Sequence, residues 1–132
     1  MLLSLDSISY RYPDAAAPTL DGISAVFPTG WTGIVGDNGC GKTTLTCGIL
    51  YGLVRQGYSP AAYKCGPDYI DSMFHSRVLG IETGNLDSFF TDDQTLRALL
   101  AGRQADIHVI EGVMGYYDGM GFTENGSASE IA

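Results

Sequence analysis

Apolar and polar residues alternate along residues 2–12, LLSLDSISYRY. Leu3, Leu5 and Ser7 fall on one face and Ile8, Tyr10 and Tyr12 on the other, so the alternation slips once on the way. A period of two marks a half-exposed strand. PDAAAP breaks that run, and TLDGISAVF reads as a second strand ended by PTG, which together predict a β-hairpin. Trp31–Val35, apolar and β-branched behind Pro28 and Gly30, predicts a short buried strand. Past Lys42 the period changes. Leu45, Ile49, Leu50, Leu53 and Val54 recur at helical spacing, and Thr44, Gly48 and Gly52 form a stripe of small residues that lets the helix lie close on a sheet. Gly57 supplies a stop. Ala61–Lys64 and Asp106–Ile110 read as two further strands. DDQTLRALLAG reads as a surface helix, opened by the capping run Thr91 to Gln94, with Leu96, Leu99 and Leu100 inward. The pattern predicts an α/β fold: a parallel sheet with strands near 31–36, 61–64 and 106–110, flanking helices, and the hairpin beside it.

Between the buried strand and the first helix lies GDNGCGKT, residues 36–43, which fits G-x-x-x-x-G-K-[ST]. Glycines let successive backbone N–H groups converge on an anion, where a Cβ at each position would obstruct them. The helix that follows contributes its unpaired amides and the positive end of its dipole. Strand, loop and helix occur in the order a P-loop NTPase requires. The nucleotide-binding candidates are therefore Gly36, Asn38, Gly39, Cys40, Gly41, Lys42, Thr43 and Thr44. Lys42 would reach the β- and γ-phosphates of ATP, and the Thr43 hydroxyl would ligate Mg²⁺.

Charge narrows the partners. Fifteen acidic against seven basic residues give a formal charge of −8, which excludes nucleic acid as a partner, since that affinity needs clustered Lys and Arg. An acidic chain that binds a polyphosphate implies Mg²⁺ as intermediary. No segment approaches the roughly 20 apolar residues of a membrane span, and the opening MLLSLD is no signal peptide. Cys40, Cys47 and Cys65 form no close metal pair and suit a reducing cytoplasm.

Other residues gain meaning from position. Lys64 ends a short strand before the Gly66-Pro67 turn, where α/β proteins bind ligands. There it is either a second cation for a transferring phosphoryl group or a solvated lysine. Glu111 closes DIHVI and is followed by Gly112, so its carboxylate can approach a metal beside Thr43. Asp118-Gly119 reads as a turn pair. His75 with its scattered Asp neighbours makes no convincing metal set. Arg77 is placed either to clamp a substrate carboxylate or to form a surface ion pair.

Two resemblances complete the reading. ISYRYP and TLDGISAVFPTGWTGIVGDNGCGKTTL, within residues 2–46, resemble the start of an ABC-type transporter ATPase. That resemblance implies that Tyr12, a strand aromatic otherwise, stacks on adenine, but no L-S-G-G-Q signature follows. From about residue 39 onward the chain resembles the N-terminal, dethiobiotin synthetase-like ATP-binding domain of cobyrinate a,c-diamide synthase. The matching stretches are KCGPDYID, MFHSR, NLD and VIEGVMGYYDG. This second resemblance implies an ATP- and glutamine-dependent amide ligase of cobalamin biosynthesis, acting on a corrinoid in the cytoplasm. Lys42 and Lys64 would serve phosphoryl transfer, and Thr43, Asp87 and Glu111 would hold Mg²⁺. Asp68, Tyr69, Asp71 and Arg77 would lie toward the substrate. The glutaminase domain of that family is missing from this chain, whose ending, with a capping pattern at Ser127 and Glu130, looks truncated. The expected organisation is one P-loop domain over 1–132, with an ABC-like hairpin at 1–30 and a synthetase-like core at 31–132. The two resemblances meet in the shared loop. Relatives of this kind often pair, so a homodimer is a further expectation.

Overall fold

A computed structural model describes residues 2–28, 30, 32, 34 and 39–132, and of Phe122 the backbone alone. Strands β1 (Leu3–Tyr10) and β2 (Leu20–Phe27) form an antiparallel pair. The slip anticipated in the alternation is a break in their register between Leu5 and Ile8, where Ser7 takes a φ of 51°. The offset puts both Leu5 and Tyr10 in the buried set. The strand expected over 31–36 falls largely outside the described residues, as do Gly36 and Asn38.

Helix α1 (Lys42–Arg55) follows, and Gly57, at a φ of 87°, ends it as expected. Its residues Cys47, Leu50 and Leu53 are fully buried. The small-residue stripe does bring a sheet close, and that sheet is the hairpin. A Cβ on Gly48 would stand 2.3 Å from Leu20 Cδ1, and one on Gly52 would stand 2.2 Å from Ile8 Cδ1. Because Ile8 presents only a methyl tip, Gly52→Ala is expected to be tolerated. Gly52→Leu should cost about 1–3 kcal/mol by overpacking and detach the hairpin. Limited proteolysis checks this: the Leu variant, and not the Ala variant, should be cut within residues 1–30.

Beyond α1 come β3 (Pro60–Cys65), α2 (Tyr69–Leu79), β4 (Glu82–Leu86), α3 (Asp93–Ala101), β5 (Ile107–Glu111) and the short α4 (Ala128–Ile131). The three strands form a parallel sheet in the order β4-β3-β5. All six residues of β3 are buried, as a central parallel strand covered on both faces requires. Ala61, Tyr63, Leu86 and Leu96 form the core beneath, joined at its margin by Leu100, Ala105, Ile110 and Ile131. Leu99, expected inward on α3, is instead 43% exposed. The cap of α3 is the Asp92 side chain, which accepts from Thr95 N. At α4 the anticipated box is displaced by one residue: the Glu130 carboxylate accepts from Gly126 N at 2.8 Å and leaves Ser127 without a side-chain cap bond. No described helix is long and apolar enough to cross a membrane.

Candidate functional site

Parallel pairing aligns the carboxyl ends of the sheet. Lys64 lies opposite Glu111 across β3 and β5, and Cys65 lies opposite Leu86 across β3 and β4. Two charged side chains thus stand at or next to the ends of adjacent strands inside the protein: Lys64 is 5% and Glu111 4% exposed. The reading of Lys64 as a solvated surface lysine is thereby excluded.

The Lys64 ammonium donates to Glu111 Oε1 at 3.0 Å and to Asp71 Oδ2 at 2.7 Å. The Thr43 hydroxyl, from the second residue of α1, donates to Glu111 Oε1 at 2.5 Å and lies 3.4 Å from Asp71 Oδ2. One ammonium faces two carboxylates, so the cluster keeps a surplus negative charge. Burial by itself would push the Lys64 pKa down, but the carboxylates of Asp71 and Glu111 outweigh it and hold the pKa above its usual value. Burial lowers the pKa of His75, which stands behind Glu111.

Beside this cluster α1 opens on two glycines in the left-handed region, Gly39 (φ 81°) and Gly41 (φ 95°). The first described bond of the helix runs from Leu45 N to Gly41 O, and among the described residues the amides of Thr43 and Thr44 have no backbone partner within the helix. None of the helix's own first-turn residues is acidic. Cys40 is exposed there. Lys42, half-buried, faces a cavity of about 550 Å³ shared with Glu111, Gly112 and the length of β5.

The remaining candidates separate into those the fold gathers and those it does not. Asp71, expected toward the substrate, belongs to the ammonium–carboxylate cluster. Asp87, expected beside the metal, turns its carboxylate onto Phe89 N at 3.0 Å and Phe90 N at 3.4 Å, and is no part of the described cluster. Asp68 caps α2 through Ile70 N. Tyr69 is exposed, as is Arg77 in the last turn of α2. Tyr12 pairs its hydroxyl with that of Thr44 at 3.1 Å and sets its ring against Tyr10 and Phe74, tying the hairpin to both α1 and α2. Asp118 accepts from Gly115 N, as a turn residue does. Cys47 and Cys65 are buried, and burial pushes both thiols up to about 11, which disfavours the thiolate that a nucleophile needs.

Two positioning residues went unread in the sequence. The Asn85 amide donates to Gly66 O at 2.8 Å and Asp68 O at 2.9 Å, clamping the turn between β3 and α2. The Ser72 hydroxyl reaches Gly84 O and Asn85 Oδ1, both at 3.2 Å. Together they set where α2 starts and hence where Asp71 points. Asn85 in NLD carried the signal, because an amide at the end of a strand beside a glycine turn is a natural loop clamp.

These features define a mixed α/β protein in which two parallel strands and the starts of α1 and α2 bring an ammonium, two carboxylates and a hydroxyl to the carboxyl edge of the sheet, the usual ligand edge of such sheets. Comparison with known proteins is more specific: over about 72% of its length the chain is homologous to cobyrinate a,c-diamide synthases. It is 48% identical over 99 residues to cobyrinate a,c-diamide synthase of Listeria monocytogenes serotype 4b. With the synthase of Salmonella typhimurium it shares 48% identity over 90 residues, 67% of this chain and 20% of the relative. With that of Clostridium tetani it shares 40% over 95 residues, 72% of this chain and 22% of the relative. The chain therefore spans about one fifth of the length of the curated relatives it matches. The comparisons do not support the ABC-type alternative. No protein-family model matches the chain, and no solved structure matches it significantly.

Proposed function

We propose that this chain carries the ATP-binding, synthetase part of an amidotransferase that amidates the a and c carboxylates of cobyrinate, with glutamine as the nitrogen source of the whole enzyme. What carries the reading is the Lys64–Glu111–Asp71–Thr43 cluster beside the open start of α1. A carboxylate resists attack by ammonia because it is negative and has no good leaving group. If a substrate carboxylate oxygen bonds to the γ-phosphorus of ATP and the bond to the bridging oxygen breaks, ADP leaves and an acyl phosphate remains. Ammonia then bonds to the acyl carbon, and inorganic phosphate departs. Positioning and offset of developing charge are the protein's share of that reaction.

In this reading the amides of residues 42–44 and the Lys42 ammonium take the phosphate tail. Lys64 turns from its carboxylates to the γ-phosphoryl oxygens. The residues present fit Mg²⁺: Thr43, Asp71 and Glu111 are hard oxygen donors already drawn to one point, and Asp71 supersedes Asp87 as the second acid. Bound there, the ion would neutralise charge on the phosphates. Asp68 and Tyr69, at the start of α2, border the same edge and remain substrate-side candidates, whereas Arg77, in the last turn of α2, lies toward the opposite edge, where β4 begins. Supply of ATP, glutamine and a soluble corrinoid acid suits the cytoplasm.

ADP formation with ammonium chloride in place of glutamine tests the proposal. Release of ADP should require Mg²⁺ and rise when cobyrinate is added. A chain that binds no ATP at millimolar concentration, or that forms ADP indifferently to cobyrinate, refutes it.

A further inference from the structure

His75 lies in the middle of α2 and is 2% exposed. Its Nε2 faces Glu111 Oε2 at 3.8 Å, and both atoms are buried without a hydrogen-bond partner. That spacing is too long for a hydrogen bond, and each buried orphan carries the desolvation penalty of an unmade bond. The cause is on the far side of the carboxylate. Glu111 Oε1 is drawn toward Thr43 at 2.5 Å and Lys64 at 3.0 Å, which leaves Oε2 short of the imidazole. An imidazole can offer an N–H at Nε2 whether or not the ring is charged. The other groups facing it are Asp71 and Lys64, already paired with each other, and the edge of Phe74.

We propose that His75 is a positioning residue: its Nε2–H captures Glu111 Oε2 once Thr43 and Lys64 turn toward the nucleotide, and so fixes Oε1 as a donor for the Mg²⁺ that Thr43, Asp71 and Glu111 would hold. The movement required is under about 1 Å, given an ordinary N–H···O length. The bond satisfies both orphans at once. It also gives Glu111 a fixed orientation in the state where its apo partners are otherwise engaged, as partners behind metal-ligating carboxylates commonly do. This rests on the nucleotide reading above.

The test compares His75→Gln, whose amide N–H can still reach the carboxylate, with His75→Leu, which cannot. ATP affinity is measured by calorimetry with excess Mg²⁺ and again with excess EDTA, after melting curves establish that each variant is folded. In His75→Leu the gain in affinity that Mg²⁺ confers should fall about tenfold, with affinity in EDTA unchanged. His75→Gln should keep most of that gain. An undiminished Mg²⁺ effect in His75→Leu overturns the inference, as does an equal loss in both variants with and without metal. Should His75→Leu fail to fold, His75→Asn, with a shorter reach, takes its place and the same loss is expected. Wild-type protein that binds no ATP would instead sink the nucleotide reading, and this inference with it.

Discussion

Replacing Lys64 with methionine is expected to lower stability by about 3 kcal/mol and to remove ligase turnover. The ammonium sits in the fully buried central strand, and Glu111 and Asp71 are its partners at 3.0 and 2.7 Å. Methionine fills the same space but leaves two carboxylates converging with no cation between them, and an uncompensated buried charge dominates the cost. The loss is therefore specific in a way a packing defect is not. Millimolar Mg²⁺ should restore part of the melting temperature of Lys64→Met while hardly moving that of the wild type, because a divalent ion can take the vacated place among the same oxygens. The pH dependence has a fixed sign. The Lys64 pKa is raised above the ordinary lysine value of 10.5, so the folded state binds its proton more tightly than the unfolded chain. Its contribution is complete below the unfolded value and is lost as pH rises through the folded one. Buried thiols titrate near there too, with values of about 11. The informative quantity is hence the difference in urea midpoint between wild type and variant, which should narrow above pH 10.5. A variant as stable as the wild type, or one that Mg²⁺ does not rescue, would show that the cluster is not held by this cation.

How much of this was legible in the residues depends on where each one gets its instructions. β3 announced itself, because a central parallel strand is buried on both faces and needs a continuous apolar run; Lys64 stood out as the exception within it. The hairpin slip was visible at Ser7, and the stop of α1 at Gly57, since both are local backbone events. β4 was not visible. ETGNL has neither alternation nor β-branched bulk apart from Thr83, and only Leu86 in it is buried; its strand character comes from pairing with β3. Asp87 was read at the metal from its place in NLD, but its carboxylate satisfies two amides in its own turn. Asp71 was placed with the substrate because no sequence spacing says that α2 folds back over the end of β3. The i, i+4 interval from Asp71 to His75 was the available clue, as it sets both on one face of a helix.

Lys42→Ala should weaken ATP binding by at least about a hundredfold while leaving the fold intact, and that contrast separates it from Lys64→Met. Lys42 begins α1, directly after a glycine with a φ of 95° that aims the chain into the helix, and its neighbours in the cavity are Glu111 and Gly112. The turn it starts is held by the backbone bond from Leu45 N to Gly41 O, which alanine preserves, and alanine is the strongest helix former. What is lost is the side chain beyond Cβ, with its ammonium. A charge-assisted contact to phosphate contributes about 1.5–3 kcal/mol, and the triphosphate tail carries several negative oxygens against an acidic protein of formal charge −8, so the loss should lie at the upper end of that range. Lys42→Arg should recover little, since a planar fork does not reproduce a compact point charge held between backbone amides. Adenosine, which lacks the phosphates, should bind the variant and the wild type alike. The measurements are calorimetric titrations with ATP, ADP and adenosine, beside a melting curve expected to shift by only a few degrees. Unchanged ATP affinity in a folded Lys42→Ala protein would mean that the glycine-flanked start of α1 holds no polyphosphate, whatever the family of the surrounding chain.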